Sequence, residues 1–109
     1  MINGLWSVQF ASNLGAFGGG IVVFQNGKAY GGDLEYYYIG SYRIEGDEIR
    51  GEIDVVNYTG SPHSVFGAIN NFKLLLSGRT NPKIIELAGH IAARPDMKIG
   101  IKCTKRAAI

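Results

Sequence analysis

At 109 residues the chain is the size of one domain, taken as residues 1–109. Hydrophobic residues make up 46% and charged residues 18%, which excludes a disordered chain. A net charge of +2 is too small to imply a nucleic-acid-binding domain by itself, and a single cysteine, Cys103, excludes an intramolecular disulfide and a thiolate metal cluster.

Sixteen glycines are spread through the chain, and no stretch sustains a helical period. Short alternating runs divided by turn residues predict an all-β domain. The first strand covers residues 5–12, with Trp6, Val8 and Phe10 on one face. Residues 13–19 read as a glycine-containing loop. It does not suit phosphate, because it leads into a strand and not into a helix N-terminus. Residues 20–25 form a second strand that is apolar on both faces, Val22 and Phe24 against Ile21 and Val23. Asn26-Gly27 predicts a type I′ hairpin turn, with residues 28–30 returning. Gly31-Gly32 allows a bend, and Asp33 is placed to cap a short helical turn over residues 34–36.

The fourth strand covers residues 37–44. Tyr38, Gly40, Tyr42 and Ile44 share its inner face, and Gly40 is read as a bend or bulge. Tyr38, Tyr42 and Trp6 are the candidate lining of a ligand cavity, since aromatic side chains with polar tips suit such a wall. Glu45-Gly46-Asp47 turns the chain into a fifth strand, where Ile49, Gly51, Ile53 and Val55 alternate with Glu48, Arg50, Glu52 and Asp54. Residues 57–70 are the longest irregular segment, and Val65 and Phe66 are expected to fold over one mouth of the domain.

Strands over residues 72–77, 84–91 and 97–104 complete the set, joined by proline-containing turns at 78–82 and 92–96. Cys103 lies in an alternating apolar run and reads as a buried, inert thiol, in keeping with a reducing compartment. His63 lacks a second ligand at metal spacing, and His90 lacks a nucleophile. Lys98, Lys102, Lys105 and Arg106 read as a solvated strand face and a frayed end. The count is eight strands in an antiparallel up-and-down barrel, lipocalin-like, wide enough to be filled by side chains or to hold one small ligand. Ile21, Val23 and Leu75 point away from the assigned core and are the candidate face of a homodimer.

The ordered set Asn3-Gly4-Leu5-Trp6-Ser7-Val8, the glycine-rich step before Val22, the Asn26-Gly27 hairpin, Gly31-Gly32-Asp33 and Tyr38-Ile39-Gly40-Ser41-Tyr42 resembles the GrlR family. That family is named after a negative regulator of type III secretion genes in enteric pathogens. The resemblance runs from Asn3 to about Arg106 and implies a lipocalin-like, eight-stranded barrel in a dimeric bacterial regulator. It also implies repression by binding a helix-turn-helix transcriptional activator through an exposed acidic run in a strand-joining loop. The matching positions are Glu45, Gly46, Asp47 and Glu48, so three acids stand and glycine replaces one. The partner-binding residues are therefore expected to be Glu45, Asp47 and Glu48.

The functional expectation is a non-enzymatic negative regulator that binds a protein partner. The alternative is a barrel that takes a small hydrophobic ligand. No catalytic residues, cofactor or metal are expected, and neither is direct binding to nucleic acid or membrane. Residues 1–4 lack the basic start and apolar core of a signal peptide, so the expected location is cytoplasmic.

Overall fold

A computed structural model describes residues 2–109; Met1, the first residue of the expected domain, lies outside the described residues. Eight strands follow one another: β1 (Gly4–Ser12), β2 (Phe17–Gln25), β3 (Lys28–Gly32), β4 (Tyr36–Glu45), β5 (Glu48–Asn57), β6 (Asn71–Arg79), β7 (Ile84–Ile91) and β8 (Arg94–Ala108). Each pairs antiparallel with the next, and β1 pairs with β8 to close the barrel. Closure leaves no unpaired sheet edge, which is what permits so many short apolar strands in one chain.

The period-2 pattern places the predicted inner faces inside. Trp6, Val8, Val22, Phe24, Val55, Leu74, Leu76, Ile85, Ile99 and Cys103 are all buried. The outer face of β5 carries Glu48, Arg50, Glu52 and Asp54, which pair across the sheet with polar and apolar neighbours alike. At one end of the barrel lie the start of β1, the tight turns β2–β3, β4–β5 and β6–β7, and the end of β8. At the other end lie the connections 13–16, 33–35, 58–70 and 92–93.

Asn26 and Gly27 both take positive φ (50° and 83°), as a type I′ turn demands. This hairpin is tied to the start of β1 by a reciprocal amide pair. Asn3 Nδ2 donates to Asn26 Oδ1 at 3.1 Å, and the Asn26 N–H donates to Asn3 Oδ1 at 3.0 Å.

Several local expectations are corrected. β2 begins at Phe17, inside the expected loop, because Phe17, Gly18 and Gly19 pair with Ala11, Phe10 and Gln9. The inward positions Gly18 and Gly20 leave floor space for aromatic rings. A Cβ at Gly18 would lie 2.5 Å from the Phe10 ring, and one at Gly20 would lie 2.8 Å from the Tyr38 hydroxyl. No helical turn follows Asp33. Its carboxylate does accept the two backbone N–H groups a cap would take, but Tyr36 is already in β4.

Gly40 marks no bulge, since the β4–β5 register runs through it unbroken. A Cβ there would meet the Glu52 carbonyl oxygen at 2.1 Å, so glycine serves close strand approach. β8 starts at Arg94, and Pro95 falls within it. The proline is accommodated because the β7–β8 register jumps between Ile91↔Arg94 and His90↔Lys98, which leaves residues 95–97 unpaired with β7. The basic C-terminal segment is not frayed: Lys105 and Ala107 pair with Trp6 and Leu5, and the Lys105 ammonium stands 6.0 Å from the Trp6 ring centroid.

Candidate functional site

Two aromatic groups divide the barrel interior by depth. Near the hairpin end, Trp6 packs edge-on against Phe24 (5.8 Å) and Phe24 edge-on against Tyr42 (5.3 Å). Trp6 is wholly buried, and its indole N–H donates to the Ile2 carbonyl at 2.9 Å. These rings plug that end. Trp6 and Tyr42 therefore do not line the cavity, contrary to the expectation, whereas Tyr38 does.

The cavity, of about 330 Å³, occupies the other half of the interior. Its walls are apolar, with Val8, Phe10, Val22, Val55, Leu74 and Ile99 among them. This volume is at the low end of small-molecule pockets, roughly 300–1,000 Å³. The segment 58–70 covers part of the mouth, as Val65 and Phe66 were expected to do. Both are buried, and Phe66 packs edge-on against Phe72 at 5.6 Å. The buried Ser12 hydroxyl donates to the Val65 carbonyl at 2.6 Å, and the Tyr36 hydroxyl donates to the Ile69 carbonyl at 2.6 Å. Two strands thus pin the cover. The remaining rim includes Phe17, 83% exposed, and Leu34, 90% exposed.

Asp33 organises the polar part of the mouth. One carboxylate oxygen accepts the Glu35 and Tyr36 N–H groups at 2.8 and 2.9 Å, and the other accepts the Tyr38 hydroxyl. Its carbonyl accepts the Tyr58 hydroxyl at 2.6 Å. Burial first, then the hydrogen bond to Asp33 and its charge, push the Tyr38 phenol far above its ordinary range, so it stays a neutral donor. Tyr36 is raised in the same direction, chiefly by burial. Glu35 faces His63, with Oε1 and Nδ1 3.0 Å apart. The cavity lining includes Asp33, Glu35 and His63, and it contains no lysine or arginine. Cys103 also lines it, with a thiol that burial pushes up to about 12. Asp33, Glu35 and His63 each looked incidental in the sequence. The signal that unites them is a fold-dependent contact across 28 positions between Glu35 and His63.

The three acids expected to bind a partner lie on the β4–β5 hairpin at the opposite end. All three are exposed, with side chains 79% (Glu45), 69% (Asp47) and 55% (Glu48) accessible. Each has an arginine beside it: Arg43 at 4.0 Å from Glu45, Arg79 at 2.8 Å from Asp47, Arg50 at 3.1 Å from Glu48. The Asp47 carbonyl also accepts the Thr80 N–H and hydroxyl at 2.7 and 3.1 Å, which ties two hairpins together. Gly46 takes φ +65° at the first central position while Asp47 does not have positive φ, which matches a type II′ turn.

The candidate dimer face is corrected. Ile21 and Val23 are on β2 and Leu75 on β6, on opposite sides of the closed ring, so one flat partner cannot cover all three. The outward neighbours of Val23 are Leu5, Tyr30 and, beyond Tyr30, Ile39. Ile21, Tyr30 and Ile39 are 46–49% exposed and form one apolar stripe over β2–β4.

Among the described residues no group of three His, Cys, Asp or Glu side chains is placed to hold a metal ion. Among the described residues no helix is long and apolar enough to cross a membrane. A scan against protein-family models finds no match, and a search of curated proteins finds none either. Among solved structures the chain is similar to a redesigned β-barrel, with a TM-score of 0.68 and 15% identity over 96% of this chain and 91% of that one. At that identity the likeness shows the fold alone: this chain is a closed, eight-stranded, antiparallel β-barrel.

Proposed function

We propose that this chain is a non-enzymatic regulatory binding barrel, with a small apolar ligand at one end and a protein partner at the other. The observation that carries the reading is the arrangement along the barrel axis: an apolar-walled cavity whose rim exposes Phe17 and Leu34 at one end, and an exposed hairpin of three carboxylates at the other.

For the cavity, the support is its apolar wall and the two exposed rim residues Phe17 and Leu34, which a bound ligand would help to bury. Native mass spectrometry of the purified chain tests this, with retained small molecules expected; a chain that carries and accepts none counts against it.

For the hairpin, the support is the ordered resemblance to the GrlR family and the exposure of Glu45, Asp47 and Glu48. Their arginine pairs are solvent-exposed, worth about 0–1 kcal/mol each. A basic partner can therefore displace them at little cost, though the three arginines remove most of the long-range steering a bare acidic run would supply. The partner proposed is a helix-turn-helix transcriptional activator in the cytoplasm. Replacing Glu45, Asp47 and Glu48 by alanine should weaken capture of that activator at least tenfold, and unchanged capture would remove the hairpin from the mechanism. The homodimer is proposed on the stripe around Val23, Tyr30 and Ile39, with Leu75 left out.

A further inference from the structure

We propose that the cavity selects an amphiphile with an apolar body of roughly ten non-hydrogen atoms and a protonated amine head, and rejects the matching carboxylate. The proposal rests on the reading of the cavity as a small-ligand site and adds the chemistry of the ligand's head.

Size comes from volume. A space of about 330 Å³ holds about eleven water-sized groups at roughly 30 Å³ each, and carbon atoms with their hydrogens occupy similar room. Orientation comes from the distribution of polarity. The deep end is closed by Trp6, Phe24 and Tyr42: the Trp6 indole N–H is already committed to Ile2, and neither Trp6 nor Tyr42 lines the cavity, so only the apolar Phe24 of the three meets a ligand there. The ligand's polar end must therefore face the mouth, where water and polar groups are available.

Head-group sign comes from the mouth. Asp33 and Glu35 line it, and the lining holds no lysine or arginine. Tyr36 and Tyr38 of β4 both line the cavity, and both phenol donors are already spent, on the Ile69 carbonyl and on Asp33. The Glu35 and Tyr36 N–H groups are likewise turned onto the Asp33 carboxylate. A ligand carboxylate would find the Tyr36, Tyr38 and backbone N–H donors already taken, the His63 ring engaged at Nδ1 by Glu35, and two like charges at close range. An ammonium would find acceptors with lone pairs to spare, since a carboxylate can accept about four hydrogen bonds. His63, beside Glu35, is 76% exposed and can swing clear when an ammonium takes its place.

The test uses three eight-carbon probes with different heads, octylamine, octanol and octanoate, titrated calorimetrically below their aggregation limits at neutral pH; the octanoate chain is one methylene shorter, a difference worth about fourfold that the tenfold criterion exceeds. Octylamine is expected to bind at least tenfold more tightly than octanoate, with octanol between them. Glu35→Gln is expected to erase most of the amine preference, since Glu35 is only a surface partner of His63 and its replacement leaves the barrel intact. Val55→Phe, which fills the cavity, is expected to abolish binding of all three. Equal affinities, or tighter octanoate, would overturn the head-group assignment while leaving the cavity reading in place. An amine preference unchanged in Glu35→Gln would overturn the assigned mouth. Binding that survives Val55→Phe would place the probes on the surface, and no binding by any probe would overturn the cavity reading and this proposal together.

Discussion

Tyr38 and Asp33 show how one side-chain pair serves both the fold and the site. The phenol donates to a carboxylate that also takes two backbone N–H groups, so the sharp β3–β4 connection and the inner wall are held by the same contact. Tyr38→Phe keeps the ring over Gly20 and removes the donor. It should lower stability by about 1–2 kcal/mol, read from the denaturant midpoint, because a part-buried carboxylate oxygen loses its partner. Cys103 supplies a second residue-scale prediction. Its thiol is pushed by burial from 9.0 up to about 12. The folded state therefore holds a proton that the unfolded chain releases near pH 9. The stability this contributes is complete below pH 9 and is lost as pH rises towards about 12. Alkylation by iodoacetamide at pH 8 should accordingly be slow and should follow unfolding, which a comparison of labelling rates with and without denaturant checks.

At the scale of the element, the β4–β5 hairpin joins two requirements that the sequence alone presents as one. Gly46 interrupts the acidic run, and in the structure it holds φ +65° at the turn. Gly46→Glu would restore a fourth acid, but it would place the Cβ of an L residue at a positive φ, which costs about 1–2 kcal/mol. The variant should therefore unfold at lower denaturant than the parent, while Gly46→Asn should lose less, because asparagine tolerates this region better. If Gly46→Glu were as stable as the parent, the turn would not depend on glycine. Asp47 is anchored differently. Its carbonyl, not its side chain, receives both bonds from Thr80, so Asp47→Ala should spare the link between the two hairpins and lose only the exposed Arg79 pair.

At the scale of the molecule, closure by β1 and β8 decides where function can reside. A closed ring has two ends and an outer wall, and the candidate features fall on separate parts of it: cavity mouth, acidic hairpin, and the apolar stripe over β2–β4. The stripe supplies the test of oligomeric state. Tyr30→Lys together with Ile39→Lys places charges on outward positions of two paired strands, which leaves the core untouched. Analytical ultracentrifugation at micromolar concentration should show a dimer for the parent and a monomer for the double variant. A parent that sediments as a monomer would end the homodimer proposal, and a dimeric double variant would move the interface elsewhere. Because the stripe, the hairpin and the mouth are spatially separate, the three sets of substitutions should act independently on stability.

Alternation along each strand was enough to assign inside and outside. Trp6, Val8 and Phe10 on β1, or Ile49, Ile53 and Val55 on β5, could be placed inward from the sequence, because side chains in a strand alternate strictly between two faces. Turn chemistry was legible for the same local reason at Asn26-Gly27, where two positive φ values are required. Depth and circumference were not legible. Alternation states that Trp6, Tyr38 and Tyr42 all face inward, yet only the register of eight strands puts Tyr38 at the cavity and the other two in the plug. It states that Ile21, Val23 and Leu75 face outward, yet only ring closure sets β6 across from β2. The mouth groups Asp33, Glu35 and His63 come from connections that carry no period at all, and Arg79 reaches Asp47 from 32 positions away. The sequence by itself determined the class of fold and the two faces of each strand, since those depend on neighbours one and two residues away. The tertiary structure decided the site, since a cavity and its charge are set by contacts between segments that the chain keeps far apart.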